Sequence, residues 1–401
     1  MTDIVEGRVL ITGPEDLDRN LQALISSKLS RKNYADLDTL DKCVELVVGS
    51  AGWDALPQWR LCLHDNWSIG SVETAVTKAY FAPDLSSYEN RYEELSAAEV
   101  VAASRLGYKG HFGNQLFQYA WLRKCAESHG LVPATRFWIG RVLFGFDDPV
   151  YSEGKKLHLI NEFDIDVADN AGTIANLSGC DVYGYFQFKT SYWRPFKDEW
   201  RRLYTHTPQF QKLMDDTIHK LRKRGKRLVA IHVRQHEMMP IAEGSPYFRA
   251  GLASYLSWLS ENASLLDGAV LYVAADTPDV VEQFADYNPI SAKDLGFSMP
   301  VLSFLPDWWV CREADVLAIP NSTFSLTAAM LNEKATQFFR ISPDTERLVP
   351  FDPWNTDVLL MKGGTSGWEY SRRKYLRKKA VEKPLHRRLL STVRTLARDL
   401  L

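Results

Sequence analysis

At 401 residues, 45% hydrophobic and 24% charged, the chain has the composition of an ordinary globular protein and is long enough for two or three domains, each with its own core. A formal net charge of -2 excludes nucleic acid as the main partner, because no global basic excess exists to neutralise phosphates. The five cysteines (Cys43, Cys62, Cys125, Cys180, Cys311) are odd in number and far apart, which excludes a disulfide framework or a cysteine zinc site. With no signal peptide and no apolar run of about twenty residues, a soluble cytoplasmic protein is expected.

The first 95 residues read as a small α/β module. A short strand at Arg8 to Ile11 precedes a turn at Gly13-Pro14, a helical pattern through Leu17, Leu21 and Leu24, a second helix near Leu37 to Val48, and a strand at Trp59 to Asp65. It carries no interpretable motif, and Phe81 to Tyr88 has the composition of a linker. A strand-loop-helix unit follows: Val100 to Leu106, the glycine-rich loop Gly107 to Asn114, and a helix from Gln115 that stops at Gly130. Val182 to Trp193 is an aromatic strand-to-turn segment, and Arg201 to Lys226 a basic helical connector.

From Arg227 the alternation is regular: a strand to Val233, a helix, the strand Ala269 to Asp276, helical segments, the strand Val316 to Ile319, the loop Pro320 to Thr323 and a further helix. Alternating strands and helices predict a parallel, doubly wound α/β sheet, and two such units in tandem place the default site in the cleft between them. The expected organisation is the module 1–95, a first Rossmann-like domain 96–226, a second 227–368, and a basic tail 369–401. That tail holds eleven Lys or Arg against three acidic residues, a net of +8 by 11 minus 3. Leu385, Leu389, Val393, Leu396 and Leu400 share one helical face within it. A basic amphipathic helix can lie on an anionic membrane surface, or pack its leucines on its own domain.

Three strand ends carry polar groups, two of them suited to a diphosphate ligand. The buried run Leu228 to Val233 delivers His232 and Arg234 to a loop, where a guanidinium offers a planar fork of donors. Asn321, Ser322 and Thr323 precede a helix, whose first amides attract anions, although plain N-capping is the simpler role for such residues. Asp276 closes its strand, and there it can accept hydrogen bonds from a base edge or cap the next helix.

The order of these segments resembles the alpha-1,2-fucosyltransferases of bacteria and their superfamily, which includes alpha-1,6 and protein O-fucosyltransferases. Gly110 to Ala120 (GHFGNQLFQYA) is similar to the family's GxxGNQxFQYA signature, Gly184 to Gln187 (GYFQ) to its GYWQ segment, His232-Val233-Arg234 to its HxR, and Asn321 to Ser325 to its phosphate loop. The resemblance covers about residues 97 to 335. It implies a GT-B type fold of two Rossmann-like domains facing a cleft, with the donor GDP-fucose held mainly by the second. It assigns Arg234 to the β-phosphate, Ser322, Thr323 and Phe324 to the phosphate loop, and Asp276 and His232 to guanine. Gly113, Asn114 and Gln115 are assigned to the cleft wall of the first domain. Gln235-His236-Glu237 stands where the family has Arg-Gly-Asp.

The activity implied is inverting transfer of L-fucose to a glycan hydroxyl, alpha-1,2 to a galactoside in surface polysaccharide or oligosaccharide synthesis, on an acceptor that can be lipid-linked. Asp164-Ile165-Asp166 has the spacing of a DxD metal motif without supporting context, so Arg234 is expected to replace a metal cation, and no metal or other cofactor is expected. Glu237 is the first candidate general base and His236 the second, with Asn114 orienting the acceptor. The alternatives are another linkage or acceptor on the same scaffold, including alpha-1,6 or protein O-fucosylation, and a nucleotide- or glycan-binding protein without catalysis.

Overall fold

The computed structural model describes residues 4–5, 8–9, 17, 19–21, 23, 37–53, 67–81, 83–165, 176–235, 248, 250–297, 299 and 301–381. Strands β1 (Ile4–Val5) and β2 (Arg8–Val9) pair antiparallel, and helices α1 (Leu37–Ala51) and α2 (Ile69–Phe81) follow. Most of the expected linker is structured, since α3 (Ser86–Glu94) begins inside it. The expected strand at 59–65 lies outside the described residues.

Strands β3 (Val100–Ala103), β4 (Val132–Thr135), β5 (His158–Asn161) and β6 (Cys180–Tyr183) form a parallel sheet in the order β4-β3-β6-β5. Helix α4 (Phe112–His129) packs on one face and α3 covers the other through Tyr92, which clusters with Val100, Ala102 and Ala134. Helix α4 ends where the sequence indicates, on Gly130 at φ 63°. It starts earlier than expected, so Gly113 and Asn114 belong to its first turn. Helix α5 (Ile139–Phe144) follows β4. The basic connector is two helices, α6 (Lys197–Leu203) and α7 (Pro208–Arg222), with Pro208 opening the second, where its missing N–H costs nothing.

The second sheet has the order β11-β10-β9-β7-β8, from β7 (Arg227–Val233), β8 (Ala269–Ala275), β9 (Val316–Ile319), β10 (Gln337–Ile341) and β11 (Leu348–Pro350). All pairs are parallel except the edge pair β10-β11. The unbroken apolar run of β7 is explained by burial on both faces. Leu228, Ala230, Tyr272 and Ala274 join one cluster, while Val229, Ile231, Val233, Leu271 and Val273 join another with Trp258 and Leu259 of α8 (Leu252–Glu261). Helices α9 (Pro278–Glu282), α10 (Leu305–Glu313), α11 (Thr323–Leu331) and a helix α12 over 367–381 complete the described chain.

In chain order the second sheet is wound 2-1-3-4-5, so its winding reverses between β7 and β9, and the first sheet reverses between β3 and β6. Ligands of open α/β sheets bind outside the carboxyl ends of strands at such reversals. The segments after β7, β9, β3 and β6 are those carrying Arg234, Ser322, Asn114 and Gln187.

The two sheets share one core, in which Val101, Leu116, Phe117, Leu228, Trp308 and Leu326 belong to a single cluster. Its closest seam is helix on helix, α4 against α11. A Cβ on Gly113 would lie 2.6 Å from the Phe324 nitrogen and 2.6 Å from the Thr323 carbonyl carbon, so only glycine admits this approach. We expect Gly113→Ala to lower stability by about 1–3 kcal/mol through overpacking, read from the urea midpoint. An unchanged midpoint would show that the two helix starts part at no cost.

Two buried imidazoles contribute to the acid response. His206 lies against Trp309 at 4.6 Å and Phe144 at 5.0 Å, and burial, reinforced by Arg312, pushes its pKa down to about 3. Burial, reinforced by Arg234, does the same to His232, also to about 3. A native pKa below the ordinary 6.5 means that the unfolded chain binds more protons between those values. The contribution of these two groups is therefore full above about 6.5 and falls as pH drops toward 3, by up to about 1.4 kcal/mol per pH unit for each, while Asp307, whose pKa burial raises to about 7, acts in the opposite sense over that range. The slope of unfolding free energy against pH between about 6.5 and 4.5 should flatten in His206→Gln, and an unaltered slope would place the acid sensitivity elsewhere.

Candidate functional site

A cavity of about 820 Å³ opens where the reversal points of the two sheets face each other. Arg234, Asp276, Ser322, Thr323 and Phe324 line it from the second sheet, with His232 beneath them. Asn114, Gln187 and His111 line it from the first.

The second-sheet side is held by side chains that leave the Asn321 to Ser325 segment little freedom. His232 is 6% exposed; its Nδ1 is 2.8 Å from the Ser325 hydroxyl and its ring lies 5.2 Å from that of Phe324. Neutral at working pH, it donates or accepts by tautomer and adds no charge. Arg234 lies at the exposed end of β7, with Nη1 3.5 Å from Ser322 Oγ. The strand thus brings the guanidinium to the start of α11, where the helix dipole adds partial positive charge.

Plain N-capping does not describe the Asn321 to Thr323 loop. Ser322 occupies the N-cap position without a side-chain cap bond. Asn321 points away, donating to the Leu360 carbonyl (2.7 Å) and accepting from the Leu360 amide (2.8 Å) and Arg340 (2.9 Å). Arg340 is fully buried and also donates to the carbonyls of Asp357 (2.6 Å) and Val358 (2.7 Å), tying the loop to the stretch that leads to α12. Asp276, exposed at the end of β8, accepts from the Gln235 amide at 2.9 Å and so fixes the first turn of the loop after Arg234.

From the first-sheet side, Asn114 Oδ1 accepts from Gln187 Nε2 at 2.6 Å and from Thr323 Oγ1 at 2.8 Å. With its oxygen fixed by two donors, Asn114 turns its Nδ2 toward Gly110, where φ is 79° and a Cβ would stand 2.7 Å from that nitrogen. One amide thus links the glycine loop, the GYFQ segment and the start of α11.

Two expected wall residues take other positions. Gly113 is buried in the helix seam, and Gln115 is fully buried, its Nε2 donating to the carbonyls of Gly107 (3.0 Å) and Gly110 (3.2 Å). Both shape the loop from behind, because the helix begins at Phe112 and rotates them inward. His236 and Glu237 lie outside the described residues, as does Asp166. Asp164 accepts from Tyr375 and from Lys379, so its partners are side chains of α12. Among the described residues no group of three or more His, Cys, Asp or Glu is placed to hold a metal ion, and no described helix is long and apolar enough to cross a membrane.

Several site features escaped the sequence reading. The otherwise uninterpreted helix α2 braces the glycine loop: Thr74 Oγ1 donates to Gly107 O at 2.6 Å, Ser71 Oγ to Tyr108 O at 2.9 Å, and a Cβ on Gly70 would stand 2.1 Å from Gly110 O. Asp307, in the first turn of α10, lines the cavity and accepts from Tyr272 at 2.6 Å, with burial pushing its pKa up to about 7. Lys109, Glu162 and Trp368 line the first-sheet wall. A pattern-based reading finds periodicity and known motifs, and these residues belong to neither.

No family model matches this chain, and no curated protein does. Among solved structures, the chain is similar to NodZ alpha-1,6-fucosyltransferase soaked with GDP-fucose, at 13% identity and a TM-score of 0.43, over 63% of this chain and 99% of that one. It is similar to an Arabidopsis thaliana FUT1 mutant in complex with GDP, at 12% identity and 0.42, over 71% and 82%. It is also similar to POFUT1 in complex with GDP-fucose, at 10% identity and 0.39, over 62% and 99%. Likenesses of this degree give this chain neither a linkage nor an acceptor, and the site's own residues must carry the function.

Proposed function

We propose that the protein is an inverting glycosyltransferase that moves L-fucose from GDP-fucose to a hydroxyl of a glycan, alpha-1,2 to a galactoside, on a GT-B type scaffold divided as 96–226 and 227–368. The observation that carries this reading is the convergence of Arg234 and the Ser322–Thr323 helix start on the reversal point of the second sheet, beside a cavity whose lining also includes Asn114, bonded to Thr323. A diphosphate leaving group needs positive charge and oriented donors where its own charge develops, and a guanidinium beside a helix N-terminus supplies both. Guanine is assigned to His232 and Asp276, the β-phosphate to Arg234, and the loop contacts to Ser322, Thr323 and Phe324.

The glycosidic C–O bond to the diphosphate breaks as the acceptor oxygen bonds to the opposite face of the sugar carbon, and the electron pair leaves on GDP. Arg234 and the loop stabilise that charge in place of a metal cation. The acceptor proton goes to Glu237, with His236 as the second choice, and Asn114 holds the acceptor through Nδ2. The neutral His232 keeps the guanidinium as the main local cation of this wall.

Wild-type protein should bind GDP in calorimetry with an affinity unaffected by EDTA, and Arg234→Ala should abolish detectable transfer with its unfolding midpoint unchanged. A charged hydrogen bond contributes about 1.5–3 kcal/mol, and losing about 3 kcal/mol slows the step a hundredfold or more. A variant with near full activity would end the assignment. For the proton acceptor, Glu237→Gln should remove the acidic limb of the pH-rate profile, and a profile identical to wild type would remove Glu237. Linkage is read from the product by NMR, where an alpha-1,6 or protein-linked product would replace the alpha-1,2 reading while leaving the donor site intact.

A further inference from the structure

The first-sheet wall of the cavity contains charged and aromatic groups that no step of the donor chemistry uses. Lys109 Nζ stands 3.2 Å from the ring centroid of Tyr183 and 4.5 Å from that of Tyr185. Beside it, the buried Glu162 accepts from the amides of Tyr185 (3.1 Å) and Phe186 (2.6 Å). Those bonds hold Phe186 at φ 52°, a conformation that side chains other than glycine rarely adopt, and Phe186 is further held by stacking on Trp121 at 4.1 Å. Gly184 makes this possible, since a Cβ there would stand 2.4 Å from the Glu162 Cβ. The GYFQ segment is thus a rigid turn built around one carboxylate.

The same wall is closed by the C-terminal part of the chain. Trp368 and Ser371 of α12 line the cavity. Phe163 packs on Trp368 at 5.9 Å and on Tyr375 at 5.4 Å, while Tyr375 and Lys379 both bond to Asp164. Residues widely separated in sequence therefore meet at this wall of the cavity.

We propose that this wall is the acceptor subsite, in which Lys109, Tyr185 and Trp368, positioned by Glu162 and by α12, take a neutral pyranose ring of a glycan. The inference rests on the donor reading above. An ammonium group, the amides of Asn161 and Gln187 and the Ser371 hydroxyl match the donors and acceptors of vicinal hydroxyl groups, and aromatic side chains match the C–H face of a sugar. Neutrality follows from charge: on this wall the ammonium of Lys109 that lines the cavity is opposed by the Glu162 carboxylate, while the neighbouring Arg105, 4.7 Å from the Tyr183 ring, is not part of the lining. Burial lowers the Lys109 pKa to about 8, while Glu162 acts in the opposite direction, favouring the charged form.

The test uses the full-length protein with GDP present and a panel of neutral disaccharides, lactose among them, beside a uronic-acid disaccharide. Binding is read by saturation-transfer NMR, and GDP affinity by calorimetry. At least one neutral member should bind wild type and the uronate should not. Lys109→Gln and Trp368→Ala should each weaken saccharide binding about tenfold, the size of one lost charged hydrogen bond, with GDP affinity within about twofold of wild type. Unweakened saccharide binding in both variants, no binding of any neutral member, or loss of GDP affinity in place of saccharide affinity would each overturn the subsite. Should wild type bind the saccharides but not GDP, the donor reading falls and the subsite stands on its own.

Discussion

The seam between α4 and α11 is the constraint on which the rest of this structure depends. Two helix starts meet so closely that Gly113 can carry no side chain, and one residue further on Asn114 accepts a hydrogen bond from Thr323 across the seam. Backbone contact of this kind fixes the reversal point of one sheet against that of the other to within a fraction of an ångström, because close-packed interiors do not yield gradually. A site assembled from both sheets needs that fixity, since a donor group and an acceptor group misplaced by about an ångström lose much of their rate advantage. The buried polar groups serve the same end. Arg340, Asn321, Gln115 and Glu162 each satisfy backbone groups of loops that line the cavity without facing the reaction themselves.

Much of the fold was legible because it is local. The apolar runs of β7, β8 and β9, the glycine stop of α4 and the alternation of strands and helices all follow from residues close together in sequence. The strand ends carrying Arg234, Asp276 and Ser322 were found for the same reason, since a polar residue directly after a buried strand is at a sheet edge whatever the rest of the chain does. Gly113 and Gln115 were misplaced by a small error with a large effect. Starting α4 at Phe112 and not at Gln115 turns these residues from a cleft wall into the structure behind it.

The remainder was hidden because it depends on contacts between distant segments. Nothing near Thr74 in sequence indicates that its hydroxyl will hold the Gly107 carbonyl, and nothing near Asp164 points to Tyr375 and Lys379. For Asp164 the sequence gives only the spacing to Asp166, whereas the structure adds a hydroxyl and an ammonium group from a segment about two hundred residues away. The basic tail shows a further long-range contact: its charge and leucine stripe are read from sequence, whereas the place of Ser371 in the cavity lining is not. The leucine-bearing residues 385–400 lie outside the described ones.

This arrangement separates two kinds of demand on one cavity. Stabilising a departing diphosphate requires fixed positive charge, and the second sheet supplies it at strand ends whose geometry is set by backbone pairing. Recognising a sugar ring requires shape and hydrogen bonds with no net charge, and the first-sheet wall offers a compensated Lys109–Glu162 pair among aromatic rings. The wall is braced by α2 and α12, elements from the two ends of the described chain that lie outside both sheets. On the proposed reading, substitutions in those bracing helices alter the acceptor wall without disturbing the strand ends assigned to the donor. On this scaffold, acceptor choice and donor choice are mechanically separable, and the point at which they are coupled is Asn114, whose single amide touches both halves.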